Sequence, residues 1–281
     1  MKDKATDKIS ILKINRDQTS RQLDFLAVEE PLEIRLAYGA GHHRKQKSIS
    51  ITMRSPGDDK DLAIGFLFTE GIIRSFEQIK NIHHLPCFNQ QTKGNIILIE
   101  LDDNIEINLQ KLERHFYTSS SCGVCGKSSI EAIYQSGATN IPNNNIYIDA
   151  KLIHQLPDKI RTQQAVFDNT GGLHAAGLFD NNGNLVLIRE DVGRHNAVDK
   201  LIGAALQEKS IPLHQNILML SGRVSFELVQ KALMAGIPIL VAVGAPSTLA
   251  IQLAQKSGMT IIAFVRNGKF NIYSGEERVL F

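Results

Sequence analysis

The chain has 281 residues, of which 43% are apolar and 21% are charged, a composition typical of a globular protein with one large or two modest domains. A net charge of +2 is too small to indicate binding to nucleic acids or membranes, so any basic site has to be a local cluster of charges. Three cysteines, no apolar signal segment at residues 1–7 and no apolar run of about 20 residues argue against a secreted or membrane-spanning protein. We therefore expect a cytoplasmic protein with no nucleic-acid or membrane partner.

The first part of the chain is predicted to be rich in strands. Residues 1–20 are mostly polar, and we expect them to form a flexible N-terminal arm. Residues 21–115 are predicted to form a smaller α+β domain with a helix over residues 59–70. Alternating apolar and polar residues predict four strands, the first two of which form a hairpin, at residues 32–38, 49–53, 79–85 and 96–101.

Cys122 and Cys125 lie two residues apart in a segment rich in serine and glycine, SSSCGVCGKS at residues 119–128. Cysteine is normally buried, so its place in a polar segment indicates a role for the sulfur. The apolar spacing that resumes at Ile130 predicts a helix that begins near Lys127, which places both thiols just before a helix N-terminus. The helix dipole and nearby basic residues therefore predict that at least one thiol has a pKa below the ordinary value of about 8.5.

A Cys-x-x-Cys pair has four common interpretations. A structural zinc site needs further ligands, and the nearest candidates, His83, His84 and Cys87, do not have a standard spacing. A thioredoxin-like dithiol would follow a buried strand, which is not the pattern of residues 117–121, and a structural disulfide is the third alternative. The interpretation that the sequence favours is a nucleophilic cysteine that carries a group, with a companion thiol beside it.

Zinc deaminases also contain a Pro-Cys-x-x-Cys pair, together with a His-x-Glu motif. Here no proline precedes Cys122. The one suitable histidine, His174, follows the pair and has Ala176 where the proton-transferring glutamate should stand. Deaminase catalysis is therefore not expected.

Strands and helices alternate in the second half of the chain. Apolar stripes predict four helices, at residues 152–160, 196–205, 224–234 and 247–255. Apolar runs between them predict five strands, at residues 173–179, 185–188, 217–220, 237–243 and 260–265. Such alternation predicts a sheet that is covered by helices on both faces.

Several strand ends in this half lead directly into helices through loops of small residues. The loops lie at residues 191–196 (DVGRHN), 221–223 (SGR) and 244–248 (GAPST). In open α/β sheets, ligands bind at such strand ends, where helix N-termini attract anions. Arg194 and Arg223 add guanidinium groups that suit phosphate. The loops therefore predict a site for a phosphorylated ligand; the alternative is that the small residues cap helices and the arginines form salt bridges.

Two histidines and a turn near the C-terminus are further candidates. His174 and His195 lie beside these loops, and each is either a proton donor or a capping or packing histidine. Asn267 and Gly268 predict a hairpin turn, which accounts for the segment without a function. Arg266 and Lys269 flank the turn and form a basic tip that is able to contact phosphate.

Taken together, seven segments of the chain resemble the FdhD/NarQ family of formate dehydrogenase accessory sulfur carriers. The resemblance extends from about residue 24 to the C-terminus. The segments occur in the order found in the family, at residues 29–34 (EEPLEI), 55–59 (SPGDD), 65–72 (GFLFTEGI), 121–126 (SCGVCG), 170–175 (TGGLHA), 190–200 (EDVGRHNAVDK) and 221–225 (SGRVS).

The resemblance implies a fold and an activity that the patterns alone do not give. It implies that residues 116–281 form a cytidine deaminase-like α/β/α sandwich that carries the Cys-x-x-Cys loop. It also implies a sulfurtransferase that receives sulfur as a persulfide from a cysteine desulfurase. The sulfur passes to molybdenum in bis(molybdopterin guanine dinucleotide) before this cofactor is inserted into formate dehydrogenase, and family members are homodimers.

The resemblance also implies roles for individual residues. Cys122 matches the cysteine that bears the persulfide, and Cys125 matches its companion. The segment from Phe264 to Lys269 matches the stretch that binds the cofactor, that is, Phe264, Val265, Arg266, Asn267, Gly268 and Lys269. No resident metal is implied. The competing interpretation is a chaperone that binds the molybdenum cofactor and uses its Cys-x-x-Cys pair as a zinc or redox site.

Overall fold

The computed structural model describes residues 5–16, 18–86, 94–105, 141, 146–164, 167 and 170–281. The three cysteines, Cys87, Cys122 and Cys125, lie outside these ranges. The helix predicted to begin near Lys127 and the domain boundary predicted between residues 115 and 116 also lie outside them. Both therefore stay predictions.

The chain begins with an antiparallel hairpin of strands β1 (Thr6–Asn15) and β2 (Gln18–Ala27), which pair over ten residues. The sequence predicted a flexible N-terminal arm over residues 1–20 and did not predict these two strands. The physical reason is that apolar side chains such as Leu12 (56% exposed) and Ile14 (70% exposed) face solvent. Without a buried face, the hairpin has no clear alternation of buried and exposed residues that would mark its strands in the sequence.

A four-stranded sheet follows, as predicted, from strands β3 (Glu30–Tyr38), β4 (Lys45–Arg54), β5 (Ile79–His84) and β6 (Ile96–Leu101). Its spatial order is β4-β3-β6-β5, and β3 and β4 form the predicted antiparallel hairpin. Helix α1 (Asp59–Thr69) is also confirmed. It buries Leu62, Ile64 and Leu67 in the core.

The second half contains a six-stranded sheet. A short strand, β7 (Ile148–Asp149), and helix α2 (Ala150–Arg161) precede it. The sheet strands are β8 (His174–Phe179), β9 (Leu185–Asp191), β10 (Ile217–Leu220), β11 (Ile239–Ala242), β12 (Thr260–Arg266) and β13 (Lys269–Ser274). Their spatial order is β13-β12-β11-β10-β8-β9, and a last short strand, β14 (Val279–Leu280), pairs with β7.

Strand directions in this sheet bring many loops to one edge. Strands β10, β11 and β12 are parallel, whereas β8 is antiparallel to both β10 and β9, and β13 is antiparallel to β12. Consequently β9, β10, β11 and β12 end at the same edge at which β8 and β13 begin. We call this edge the carboxyl edge.

Helices cover both faces of this sheet, as the sequence predicted. Helices α3 (Arg194–Gln207), α4 (Phe226–Met234) and α5 (Thr248–Ser257) pack on the face that carries Leu218, Leu220 and Leu240. Helix α2 packs on the opposite face, which carries Met219 and Val241. The two sets of strand residues differ because successive side chains point to opposite faces.

The two halves of the chain share one core. Helix α1 crosses α3 so closely that a Cβ atom at Gly65 would lie 1.8 Å from the backbone oxygen of Asp199, and one at Gly203 would lie 1.9 Å from that of Asp61. Only glycine permits this approach of two helix backbones. A continuous hydrophobic cluster therefore extends from Leu32 in β3 to Ile261 in β12.

The mixed α/β class that the sequence predicted is confirmed. The closer likeness to cytidine deaminases and the division at residue 115 stay predictions. In the described ranges, no helix combines the length and the apolar character that a membrane span requires.

Candidate functional site

The carboxyl edge gathers the loops that the sequence had singled out. The loop at residues 191–194 follows β9, the loop at 221–223 follows β10 and the loop at 243–247 follows β11. His174 joins them because β8 begins at this edge. Three helices, α3, α4 and α5, start here with their N-termini, so their unpaired N–H groups and positive dipole ends lie at the same edge.

Two glycines hold the loops after β10 and β11 together. Gly244 N donates to Gly222 O over 3.1 Å, and Val224 N donates to Ala245 O over 3.0 Å. A Cβ atom at Gly244 would lie 2.7 Å from Gly222 O, which leaves no space for a side chain. The small residues in these loops therefore allow the two loop backbones to contact each other, and their role is not limited to capping helices.

Two basic side chains flank Gly222, and a third follows it in the chain. A Cβ atom at this position would lie 3.1 Å from His174 Nδ1 and 3.9 Å from Arg194 Cδ. Arg223 follows Gly222 and is exposed, and its charge acts on the His174 ring. We call His174, Arg194 and Arg223 the basic cluster. The structure thus brings together three of the residues that the sequence nominated.

Charge and burial act together on His174. Burial of the ring, Arg194 and Arg223 each lower the pKa of His174 below its usual value, whereas Asp191 opposes them. The ring is therefore mainly neutral at pH 7. A neutral imidazole whose pKa two guanidinium groups lower is ready to take up a proton when an anion neutralises them.

Asp191 organises the loop that carries Arg194. It is fully buried, and its Oδ2 lies 2.8 Å from Lys200 Nζ and accepts a hydrogen bond from Ser55 N over 3.1 Å. Its Oδ1 accepts hydrogen bonds from Gly193 N and Asn196 Nδ2 over 2.8 and 3.0 Å. The sequence analysis missed this role, since the Ser55 contact joins segments 136 residues apart. The feature that could have indicated it is the presence of Asp191 and Lys200 in one short segment, EDVGRHNAVDK.

His195 has a different environment from His174. Its Nε2 lies 3.1 Å from Ser225 Oγ and 3.9 Å from a Glu227 carboxylate oxygen, and 13% of the side chain is exposed. Burial, followed by the charges of Lys231 and Arg194, lowers the pKa of His195 to about 4. It is therefore neutral at pH 7, and its hydrogen bond joins the N-termini of α3 and α4.

The depressed pKa of His195 predicts a loss of stability in acid. The pKa is about 4 in the folded protein and about 6.5 in the unfolded chain, so between these values the unfolded chain binds more protons and stability falls as pH falls. Between pH 7.5 and pH 5, we expect His195 to account for a loss of about 2 kcal/mol.

Urea unfolding at both pH values tests this expectation. His195→Gln keeps a side chain able to bond Ser225 but has no titratable group, so its acid loss should be smaller than that of the unaltered protein by about 2 kcal/mol. Equal losses in the two proteins would show that His195 does not carry the effect.

A cavity of about 630 Å³ opens beside the basic cluster, on the face covered by α2. His174 and Ser221 line its side at the carboxyl edge. Arg161 and Phe167 also line it, and the guanidinium carbon of Arg161 lies 4.1 Å from the centre of the Phe167 ring. The sequence analysis missed this cavity, because it forms between the end of a helix and loops that are distant in sequence.

The segment from Phe264 to Lys269 lies at the same edge, at the end of β12 and the start of β13. Asn267 (φ 51°) and Gly268 (φ 69°) both have positive φ, as in a two-residue hairpin turn, which confirms the predicted turn. Phe264 also has a positive φ of 58° at a bulge. Its conformation is uncommon for an aromatic residue, and such strain is often found at binding sites.

The six residues of this segment differ in exposure. Arg266, Asn267, Gly268 and Lys269 are exposed, and the Arg266 guanidinium carbon lies 6.0 Å from the centre of the partly exposed Phe264 ring. Val265 is 1% exposed and packs in the core beside α2. The Val265 side chain therefore supports the turn, while its neighbours present charge and an aromatic ring.

The zinc interpretation involved His83 and His84, which lie on β5. His83 Nδ1 is 3.8 Å from a Glu100 oxygen, and His84 Nε2 is 3.6 Å from an Asp59 oxygen. Their third candidate, Cys87, is outside the described residues. In the part of the chain that the structure describes, no group of three or more His, Cys, Asp or Glu side chains is arranged to hold a metal ion.

Comparison with known proteins relates this geometry to a family. A model of the FdhD/NarQ family matches residues 27–280, which is most of the chain. The chain belongs to the FdhD/NarQ family. The resemblance identified from seven sequence segments is thereby confirmed.

Two relatives in the FdhD/NarQ family match along nearly their whole length. A protein of Streptomyces avermitilis, named sulfur carrier protein FdhD, is 45% identical over 98% of this chain and 96% of its own. A protein of Saccharolobus solfataricus with the same name is 39% identical over 97% of both chains. Bacterial and archaeal members of the FdhD/NarQ family therefore share the full extent of the sequence.

A solved FdhD/NarQ-like structure supports the fold. It is a crystal structure from Desulfotalea psychrophila, assigned as a formate dehydrogenase accessory protein, with a TM-score of 0.73 and 25% sequence identity. The match covers 98% of this chain and 100% of that chain. The arrangement of sheets and helices described above is therefore similar to that of an experimental structure.

Proposed function

We propose that this protein is a sulfur carrier that accepts sulfur as a persulfide on Cys122 from a cysteine desulfurase. It transfers this sulfur to the molybdenum of bis(molybdopterin guanine dinucleotide), on which formate dehydrogenase activity depends. The observation that carries the proposal is the 39–45% identity, over nearly the whole chain, to proteins named sulfur carrier protein FdhD. The Cys-x-x-Cys pair supplies the sulfur chemistry that this name requires.

Loading of Cys122 is a thiol exchange reaction. The Cys122 thiolate attacks the terminal sulfur of the persulfide on the desulfurase, and a new S–S bond forms at Cys122. The S–S bond of the donor breaks, and the donor cysteine leaves as a thiolate. A low thiol pKa favours this step because the thiolate is the nucleophile.

Delivery of the sulfur has two chemically balanced routes. In the first, the Cys125 thiolate attacks the inner sulfur of Cys122, a disulfide forms, and the terminal sulfur leaves as sulfide toward the molybdenum. This route requires a thiol reductant to restore the pair before the next cycle. In the second, Cys125 only tunes its neighbour: the S–S bond of the Cys122 persulfide breaks, the terminal sulfur joins the molybdenum with two electrons from the reduced metal, and Cys122 leaves as a thiolate.

The segment from Phe264 to Lys269 is proposed to bind the guanine nucleotide part of this substrate. The exposed charges of Arg266 and Lys269 suit a phosphorylated ligand. The Phe264 ring, held at a bulge with positive φ, supplies a flat surface for stacking a base. The charges and the aromatic ring of one turn thus match two parts of a nucleotide, its phosphates and its base.

Binding of GDP tests this part of the proposal. Arg266→Gln and Lys269→Gln should each weaken GDP binding about five- to tenfold, because each removes a charged donor from the turn. Lys13→Gln, an equally exposed lysine on the N-terminal hairpin, is the matched control and should leave the affinity unchanged. Equal affinities of all four proteins in isothermal titration calorimetry would contradict binding at this turn.

The proposal also includes an assembly and a finer fold. We propose that the protein acts as a cytoplasmic homodimer whose second half is a cytidine deaminase-like α/β/α domain. A six-stranded sheet with helices on both faces supports this domain type. Sedimentation velocity of the purified protein tests the dimer, and a species with the mass of a single chain at all concentrations would exclude it.

A further inference from the structure

We infer that the N-terminal hairpin is the surface through which two copies of this chain associate, with strand β1 of one copy pairing with β1 of the other. The inference rests on the proposed function, because it gives the proposed homodimer its interface. The family match begins at residue 27, so it includes only the last residue of the hairpin. The exposure of the hairpin, its free strand edge and its charges all fit a second copy.

The hairpin has no buried side of its own. None of the residues of β1 and β2 is buried, and Ile9, Leu12 and Ile14 are 39%, 56% and 70% exposed. A two-stranded ribbon alone is only marginally stable in water, whereas three or more strands with an apolar face are stable. The hairpin is therefore stabilised by a partner that covers it at all times. A second copy meets this condition, because it is always present at the same concentration as the first.

Strand β1 offers a free edge to such a partner. Among the described residues, β1 and β2 form a sheet of two strands and pair only with each other. The outer edge of β1 therefore presents a row of N–H and C=O groups to which a further strand can bond. Antiparallel pairing of β1 with β1 of a second copy joins the two hairpins into one four-stranded sheet, with β2 of each copy at its borders.

Two-fold symmetry restricts the register of this pairing. A two-fold interface is self-complementary, so a residue that lies opposite a second residue of the partner is matched by the reverse contact. An axis at Ser10 places Asp7 opposite the partner's Lys13 and Ile9 opposite the partner's Ile11. Each of these pairs occurs twice in the dimer. All four residue types point to one face of the joined sheet, because alternate residues of a strand share a face.

Charge complementarity selects this register. Strand β1 carries three charged side chains, those of Asp7, Lys8 and Lys13. With the axis at Ser10, both Lys13 side chains lie opposite an aspartate, and no two like charges lie opposite each other. An axis one residue away in either direction separates Asp7 from Lys13 and leaves no pair of opposite charges. Opposite charges on facing residues stabilise a sheet and like charges destabilise it, so β1 matches a second copy of itself best at this register.

The same register brings apolar side chains together. On one face, Ile9 and Ile11 of both copies form a cluster of four isoleucines at the centre of the joined sheet. On the other face, Leu12 lies opposite the partner's Lys8, whose aliphatic stem covers it. Facing side chains of this kind are the main source of stability between neighbouring strands. Apolar residues of β1 that are exposed in one copy are thus covered in the dimer.

Sedimentation velocity over a range of concentrations tests the inference by charge reversal. Asp7→Lys places a lysine opposite the partner's Lys13 at both ends of the interface, and it should weaken the dimer about tenfold or more. Lys13→Asp should have a similar effect, since it places two carboxylates opposite each other. The double substitution of Asp7→Lys with Lys13→Asp restores both pairs with exchanged charges, and its dissociation constant should be within about twofold of that of the unaltered protein.

Arg21→Asp is the matched control for these variants. It reverses an exposed charge on β2, one strand farther from the axis, and should leave the dimer unchanged. Affinity for GDP should be the same in every variant, because the turn at residues 264–269 belongs to another sheet.

A covalent probe locates the axis independently. Ser10→Cys should form a disulfide between two copies under a mild oxidant, because facing Cα atoms of antiparallel strands lie within the range of a disulfide. Peptide mapping without reduction identifies a link between the two residues at position 10. Ser20→Cys, at an exposed position of β2, should give no link of this kind.

The outcomes separate this inference from the proposed function. A protein that sediments as a single chain at every concentration would exclude both the proposed homodimer and this interface. A dimer that resists both single charge reversals, or that the double substitution does not restore, would overturn the interface and leave the homodimer standing. If the single variants keep the dimer but lose persulfide loading, the hairpin contacts the desulfurase and the inference is likewise overturned.

Discussion

Cys122→Ala is expected to abolish maturation of formate dehydrogenase. Without the Cys122 sulfur, the chain has no atom at this position on which a persulfide can form. The affinity for GDP should be unchanged, because the turn at residues 264–269 and the basic cluster contain no cysteine. The variant thus separates sulfur transfer from nucleotide binding.

The measurement is formate dehydrogenase activity in cells that produce each variant as the sole copy. Cys87→Ala is the matched control, since Cys87 lies outside the Cys-x-x-Cys pair and its loss should leave activity intact. Cys125→Ala decides between the two delivery routes. If disulfide formation releases the sulfur, this variant accumulates a persulfide on Cys122 without transferring it. Full activity with Cys122→Ala would contradict the assignment of the carrier cysteine.

Lys231→Met is expected to destabilise the protein by about 3 to 5 kcal/mol. Lys231 Nζ lies 2.9 Å from each carboxylate oxygen of Asp199 and 2.9 Å from Thr69 Oγ1. Lys231 is 6% exposed and Asp199 is 3% exposed. Burial opposes the charged form of Lys231, but the Asp199 carboxylate outweighs it and raises the pKa of the ammonium. Removing the ammonium leaves a buried carboxylate without its counter-charge.

Urea unfolding at pH 7 measures this effect. Lys209→Met is the matched control, because Lys209 pairs with Glu77 over 3.0 Å at the surface, where water screens the charges and such pairs contribute little to stability. The double substitution of Lys231→Met with Asp199→Leu removes both charges and should recover much of the loss. A loss for Lys231→Met no greater than that for Lys209→Met would contradict the account of this pair.

The local pattern of the chain predicted most of the regular structure. Residues 59–70 carry the apolar spacing and the preceding aspartates of a helix, and α1 forms there. The apolar runs at 217–220 and 237–243 become β10 and β11, because buried parallel strands are apolar on both faces. In contrast, the exposed hairpin of β1 and β2 has no buried face, so its strands were not predicted.

Local sequence patterns predicted this edge of the site only in the loops that follow strands. Loops after β9, β10 and β11 were predicted to bind a phosphorylated ligand, and Arg194 and Arg223 were nominated with them. The location of His174 depends on β8 running against its neighbours, and periodicity does not determine strand direction. The contacts of Asp191 with Ser55 and of Lys231 with Thr69 join segments distant in sequence, so no local pattern predicts them.

The most direct test of the central claim is the mass of the protein after incubation with a cysteine desulfurase and cysteine. We predict that intact-protein mass spectrometry shows a gain of one sulfur atom, that peptide mapping locates it at Cys122, and that a thiol reductant removes it. Cys122→Ala should show no gain under the same conditions. A protein that gains no sulfur and contains stoichiometric zinc would contradict the claim and favour a metal site at the Cys-x-x-Cys pair.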